Sequence, residues 1–324
     1  MKVFIPLLIS FILLYANVVQ ADYTPYTYKK MINDMHDIRN KFNDHVEMKS
    51  IGVSEQGRKI YALQLGKGEK NVLLIGSHHA REWITSEFLI KLLQYYAEMY
   101  EKKRNIGPYS SSIFDQISII FIPMLNPDGV YIQQNGLEGE SIVNKAKLIS
   151  MNHLSLDFTR WKSNGLGIDL NRQYPADWGQ LKKIPFWPSY KQYRGKEPVQ
   201  AKEVRALVEF TNKLNPLLAI AYHTSGREVY WYYHTKKEYI LRDYTLAEKI
   251  AYLTGYEQTF PDINAVGGGF TDWFITSFNR PGFTLEMCES VIETNPPRSC
   301  LQKEWEGNKL VPIMLLFELM KRIH

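Results

Sequence analysis

The chain has 324 residues, 45% of them hydrophobic and 23% charged, which excludes a disordered or fibrous protein and leaves room for one large domain or two small ones. The net charge of +5 is mild; no Lys/Arg run is dense enough for nucleic acid, and the surplus suits an anionic surface or an acidic substrate. Met1-Lys2, the apolar run "VFIPLLISFILLYANVV" and the small residue Ala21 before Asp22 read as a secretory leader, residues 1–21, removed near Ala21. The run is slightly short for a membrane span, and no second segment is apolar enough to make one. The expectation is therefore a secreted or periplasmic protein with a single domain over 22–324 and no stable membrane span.

In chain order, "YTYKKMINDMHDIRNKF" has helical spacing, and "VEMKSIGVSEQGRKIYALQLGKGEKNVLLIGS" reads as strands broken by Gly-containing turns. "ITSEFLIKLLQYYAEMYEK" is a strongly amphipathic helix. "ISIIFIPMLNPDG" is a continuous apolar run ending in turn residues, as a buried strand would be. "EVRALVEFTNKL" predicts a helix, "LLAIAYHTSG" a buried strand, and "YTLAEKIAYLTG" a helix closed by Gly255. "GFTLEM" is a short strand, and "GNKLVPIMLLFELMKRI" closes as a helix. Strands alternating with helices predict an α/β domain, a central sheet with helices on both faces. In such sheets ligands sit outside the carboxyl ends of the strands. His78, His79, Asn126, His223 and Glu286 all fall at or near strand ends.

"HAREW" sets an imidazole and a carboxylate three residues apart in a turn that opens a helix. That is close enough for His79 and Glu82 to grip one ion; His78 with Glu82 is the alternative pair. Catalytic zinc takes three protein ligands, two His and a carboxylate being one known set, and His223 is the best third candidate. H-x-x-E alone is weak, and a strand-end His is more often merely hydrogen-bonded. Cys288 and Cys300, the only cysteines, either close a small loop or remain free thiols.

"HAREWI", "NPDG", "GIDLNR", a strand ending in His223 and "GFTLE", in that order over roughly residues 25 to 320, resemble the zinc metallocarboxypeptidases, relatives of the pancreatic enzymes. The resemblance implies a mixed, twisted sheet flanked by helices. It implies one zinc per chain held by His79, Glu82 and His223, with His78 a neighbour that is not a ligand. Asp169 matches the carboxylate that hydrogen-bonds the first zinc histidine. Arg81 matches a cleft arginine, Asn171 and Arg172 the pair that holds a substrate's terminal carboxylate, and Glu286 the catalytic glutamate. Without it, Asp169 reads as a turn residue, Arg172 as a surface charge and Glu286 as an edge-strand carboxylate. The family's inhibitory prodomain is expected to be absent, since too little chain precedes residue 50.

The sequence departs from the family at three points. Lys162 stands where an arginine usually stabilises the oxyanion; Arg160, two residues earlier, is the alternative cation. Asn264 stands where the digestive enzymes carry a tyrosine lid. Thr271 holds the position that sets side-chain preference and is neither acidic nor a large aliphatic. "GSHHAREWIT", "YRGKEP", "AYHTSGREVYW", "GGGFTDWFI" and "NRPGFTLE" further resemble the bacterial γ-D-glutamyl-diaminopimelate peptidases of this family, some of which have Asp where this chain has Arg172. That implies an enzyme acting on peptidoglycan stem peptides; with the leader it is expected to be exported, and a monomer is expected. A general carboxypeptidase for α-linked peptides is the alternative, and an inactive peptide- or wall-binding homologue is the third reading.

Overall fold

In the computed structural model, residues 24–260 and 267–321 are described. The leader reading of residues 1–21 and the lid position Asn264 lie outside them. A mixed eight-stranded sheet runs β1 (Val46–Val53), β2 (Lys59–Leu65), β3 (Lys70–Ile75), β4 (Ile117–Ile122), β5 (Leu218–Thr224), β6 (Glu228–Tyr230), β7 (Glu257–Thr259) and β8 (Gly282–Met287) along the chain. Its spatial order is β1-β2-β4-β3-β5-β8-β6-β7. The four inner strands β4, β3, β5 and β8 are parallel, while β1–β2, β2–β4 and β8–β6 are antiparallel. Glu286 therefore stands on an inner strand; the edge-strand reading of it is overturned by β6 and β7, which cover β8.

The inner strands read as unbroken apolar runs because both sheet faces are covered, and side-chain alternation splits them between two layers. Leu74, Phe121, Ile220, Tyr222 and Leu285 join α1 (Tyr28–Lys41), α2 (Ile84–Glu101) and α6 (Lys237–Thr254) on one face. Leu73, Ile75, Ile122, Ala219 and Ala221 join α5 (Lys202–Leu214) and α7 (Phe270–Phe278) on the other. Helices α3 (Pro127–Asn135), α4 (Ile142–Met151), α8 (Cys300–Asn308) and α9 (Val311–Met320) complete the chain. Among the described residues no helix is long and apolar enough to cross a membrane.

"NPDG" does more than end a strand. Asn126 caps α3 by accepting from the Gly129 N–H at 3.0 Å, and Pro127 occupies the first turn, where its missing N–H costs nothing. The two cysteines are joined: Cys288 just after β8 and Cys300 at the start of α8 lie 5.7 Å apart at Cα, within the usual range for a disulfide. The bond closes the segment that carries Val291, Glu293 and Thr294.

Candidate metal centre and substrate cavity

Strands β3, β5 and β8 end at the same edge of the sheet, and the site is built there. After β3 the chain kinks at Ser77 (φ 48°), a turn held by Thr85 and Ser86 hydroxyls. Ala80–Glu82 then form one 3₁₀ turn entered from an extended His79. Three residues per turn eclipse positions i and i+3, so His79 and Glu82 project to the same side. His223, near the end of β5, meets them from the neighbouring strand. All three side chains are buried.

Glu82 Oε1 lies 2.8 Å from His79 Nδ1, Glu82 Oε2 lies 2.8 Å from His223 Nδ1, and the two Nδ1 atoms are 3.1 Å apart. His79 Nε2 lies 3.2 Å from Asp169 Oδ1. Asp169 is buried and ionised: burial opposes its charge, but His79 and Lys162 outweigh that and hold it well below the usual carboxylate range. An ionised carboxylate only accepts, so His79 donates to it from Nε2, and that contact turns Nδ1 toward Glu82 and His223. Asp169 is itself fixed by the Asn171 and Gln192 N–H groups at 3.1 and 3.0 Å. Burial lowers the His223 pKa and so favours the neutral ring a metal needs. Burial likewise opposes charge on Glu82, yet the two imidazoles keep it well below its ordinary range. The donor set fits a divalent cation: His79, Glu82 and His223 lie with their ligand atoms within 4.8 Å of one another.

His78 is not in this group. Its Nε2 meets the Tyr174 hydroxyl at 3.1 Å and its ring stacks on that of His223, with centroids 5.3 Å apart. It buttresses the His223 ring.

A cavity of about 210 Å³ opens over the group, lined by His79, Glu82, Arg81, Lys162 and Glu286 and also by Ser225, Glu228 and Tyr230. Glu286 is paired in register with His223, so its carboxylate leaves the sheet on the same face. Burial, then the Glu82 charge, push its pKa well above the usual carboxylate range, against the pull of Lys162 and Arg81. Lys162 thus reaches the cavity. Arg160 does not: its guanidinium donates to Asn152 Oδ1 and O at 3.2 and 2.8 Å and lies over the Tyr190 ring. Arg81 reaches back toward the Arg160 carbonyl at 3.4 Å.

Asn171, Arg172 and Thr271 lie beyond that cavity's lining and connect to it through α7. Asn171 Oδ1 accepts from the Phe270 N–H at 2.9 Å, and the next residue, Thr271, pairs its hydroxyl with that of Thr284 on β8 at 2.7 Å. The Arg172 guanidinium donates to the Asn171 carbonyl at 2.9 Å. Glu228 and Tyr230 escaped the reading of the sequence. Their signal was the alternation in "GREVYW", which sends both to one face of a strand.

The zinc carboxypeptidase family profile matches residues 31–311, and the chain belongs to that family. It is a zinc metallopeptidase in class. It is 32% identical over 273 residues to γ-D-glutamyl-L-diamino acid endopeptidase 1 of Lysinibacillus sphaericus, covering 84% of this chain and 67% of that protein. An uncharacterised protein of Bacillus subtilis is 31% identical over 255 residues, 75% of this chain and 65% of that one. The chain thus spans about two thirds of the length of these relatives. Among solved structures, bovine thrombin-activatable fibrinolysis inhibitor, in complex with a tick carboxypeptidase inhibitor, superimposes with a TM-score of 0.74 at 17% identity, covering 93% of this chain and 99% of that one. That likeness concerns the fold.

Proposed function

We propose that this protein is an exported, monomeric peptidase that hydrolyses the γ-D-glutamyl-diaminopimelate bond of peptidoglycan stem peptides, with residues 22–324 as one catalytic domain behind a leader at 1–21. The observation that carries the peptidase chemistry is the convergence of His79, Glu82 and His223 beneath a cavity that also holds Glu286 and Lys162. A zinc ion held by the three ligands supplies Lewis acidity to a carbonyl and lowers the pKa of water. The remaining work belongs to the chain. Glu286 accepts the proton of the attacking water and passes it to the leaving amine. Lys162 places positive charge beside the developing oxyanion, as a point charge and without the planar fork of an arginine. Asn171 and Arg172 hold the terminal carboxylate of the released residue, Arg81 lines the cleft, and Thr271 leaves room beside the clamp for a long polar side chain.

The substrate class rests on the resemblance to the Lysinibacillus endopeptidase. The intact Asn171–Arg172 pair favours a second reading, a general carboxypeptidase for α-linked peptides. A panel decides between them: kcat/KM for L-Ala-γ-D-Glu-diaminopimelate against α-linked tripeptides ending in Phe, Leu or Arg. The γ-linked peptide is expected to be cut fastest, and preference for an α-linked one overturns the wall reading. Amidating the terminal carboxylate should lower wild-type kcat/KM on the order of 10–100-fold and Arg172→Ala much less, since its partner is already gone.

A further inference from the structure

Strand alternation sends Val229 into one hydrophobic layer and Glu228 and Tyr230 to the opposite face, the one that also carries His223 and Glu286. Antiparallel register sets Glu228 beside Glu286 and Tyr230 beside Thr284. The Tyr230 hydroxyl donates to Glu228 Oε2 and so fixes the direction of that carboxylate. The adjacent cation is spent elsewhere: Arg227 pairs with Glu304 and lies near Glu289. Among the described residues Glu228 makes no ion pair, although it is partly buried and lines the cavity.

A second carboxylate beside the general base is unfavourable for the free enzyme, because like charges oppose ionisation of both. Tyr230 orients Glu228 but cannot neutralise it. The wall that Glu228 belongs to also has a direction. Tyr230 is the cross-strand neighbour of Thr284, whose hydroxyl meets Thr271 at 2.7 Å, and Phe270, one residue before Thr271, donates its N–H to Asn171. A continuous row therefore leads from the cavity beside Glu286, through Glu228 and Tyr230, to Asn171 and Arg172. It borders the space where the released residue must lie if Arg172 holds its terminal carboxylate.

We infer that Glu228, oriented by Tyr230, is a cation subsite that receives the side-chain ammonium of the released residue; the inference rests on the Asn171–Arg172 part of the proposed function and is independent of which bond is cut. The ligand class is an amino acid with a second amino group on a long arm, such as lysine or another diamino acid. Such a residue brings one positive charge to Glu228 and one carboxylate to Arg172, so the two ends of the subsite select for both charges.

The test uses paired substrates that differ only in that charge: L-Ala-γ-D-Glu-L-Lys with a free or an acetylated ε-amine, and the same pair with an α-linked glutamate. The wild-type enzyme should prefer the free amine on the order of 10–100-fold in kcat/KM, the range for a hydrogen bond to a charged group. Glu228→Gln should bring that ratio close to one, and Tyr230→Phe should lower it partway. Zinc content and the ratio are read on the same preparations, so a misfolded variant is recognised by its lost metal. A wild-type ratio near one overturns the inference. So does a Glu228→Gln enzyme that slows on both members equally and keeps the ratio, which would place Glu228 as a positioning residue acting through Glu286. Preference for the α-linked pair would sink the wall-peptide reading while leaving the ammonium ratio to be judged separately.

Discussion

Asp128 and Glu82 are both buried carboxylates, at 0% and 2% exposure, and they are surrounded in opposite ways. Asp128 Oδ1 accepts from the Ser54 hydroxyl and the Arg58 guanidinium, each at 2.7 Å, and its Oδ2 accepts from the Gln56 N–H at 2.8 Å. Every acceptor there has a donor, and the charge has a counter-charge. Glu82 instead faces two imidazole nitrogens that crowd each other at 3.1 Å, one of them on a ring whose other nitrogen is held by Asp169. The difference separates a carboxylate that ties loops together from one arranged for an ion. Burial and charge are common to both, and only the count of donors against acceptors tells them apart.

The largest way to break the comparison is to remove a ligand. His223→Ala should lose zinc and with it all measurable turnover, while His78→Ala keeps its metal; metal analysis of the two purified variants checks both, and zinc retained at full occupancy in His223→Ala would refute the ligand set. Glu286→Gln keeps shape and metal but cannot accept a proton, so turnover should fall roughly 10²–10⁴-fold with zinc content unchanged. At the other carboxylate the signs reverse. Asp128→Ala should leave zinc affinity intact and cost about 3 kcal/mol of stability, because Arg58 and two smaller donors lose their acceptor. Urea titration measures that loss, and a loss of metal instead would dissolve the contrast.

The smallest effect is a pH dependence close to Asp128. Burial, together with the Asp128 and Glu55 charges, raises the pKa of Glu203 to about 7. Its unfolded value is near the model-peptide range of about 4.3. The folded state therefore binds the proton more tightly, so this group's stabilising contribution is complete below about pH 4 and is lost as pH rises to about 7. The melting temperature of the wild type relative to Glu203→Gln should fall across that interval. A difference that stays flat between those limits would place Glu203 near an ordinary carboxylate pKa.

Much of the fold was legible because the inner strands carry apolar residues on both faces, which leaves "ISIIFI" and "LLAIAYH" little alternative to a buried sheet. Helix α4 was not: its apolar residues Ile142 and Val143 are 86% and 63% exposed, so its pattern never marks a buried stripe. Helix α3 was hidden because Asn-Pro-Asp-Gly has the composition of a turn and here serves as a cap. In the site, H-x-x-E was visible by spacing, but which remote residues join it depends on the order β3-β5-β8 across the sheet, which local pattern does not encode. The family resemblance supplied that order in effect, through the roles it implied for His223 and Glu286. Glu228 and Tyr230 went unread because a strand of three residues has too few positions to announce itself.

The segment between Cys288 and Cys300 is the cavity's outer rim. It presents Val291 and Thr294 to the space above the metal group. It is stitched down by Glu293 on Lys191, by Asn295 beside Gln133 and by Arg298 on Glu87, with the disulfide closing it at both ends. Each of those polar contacts is one that water can also make, whereas the covalent link is broken only by a reductant. The shape of the rim is therefore tied to the redox state of the surroundings. In an oxidising space outside the cell the opening keeps its outline; where thiols are kept reduced, the same chain would hold its metal ligands at the ends of β3 and β5 yet offer substrates a looser doorway.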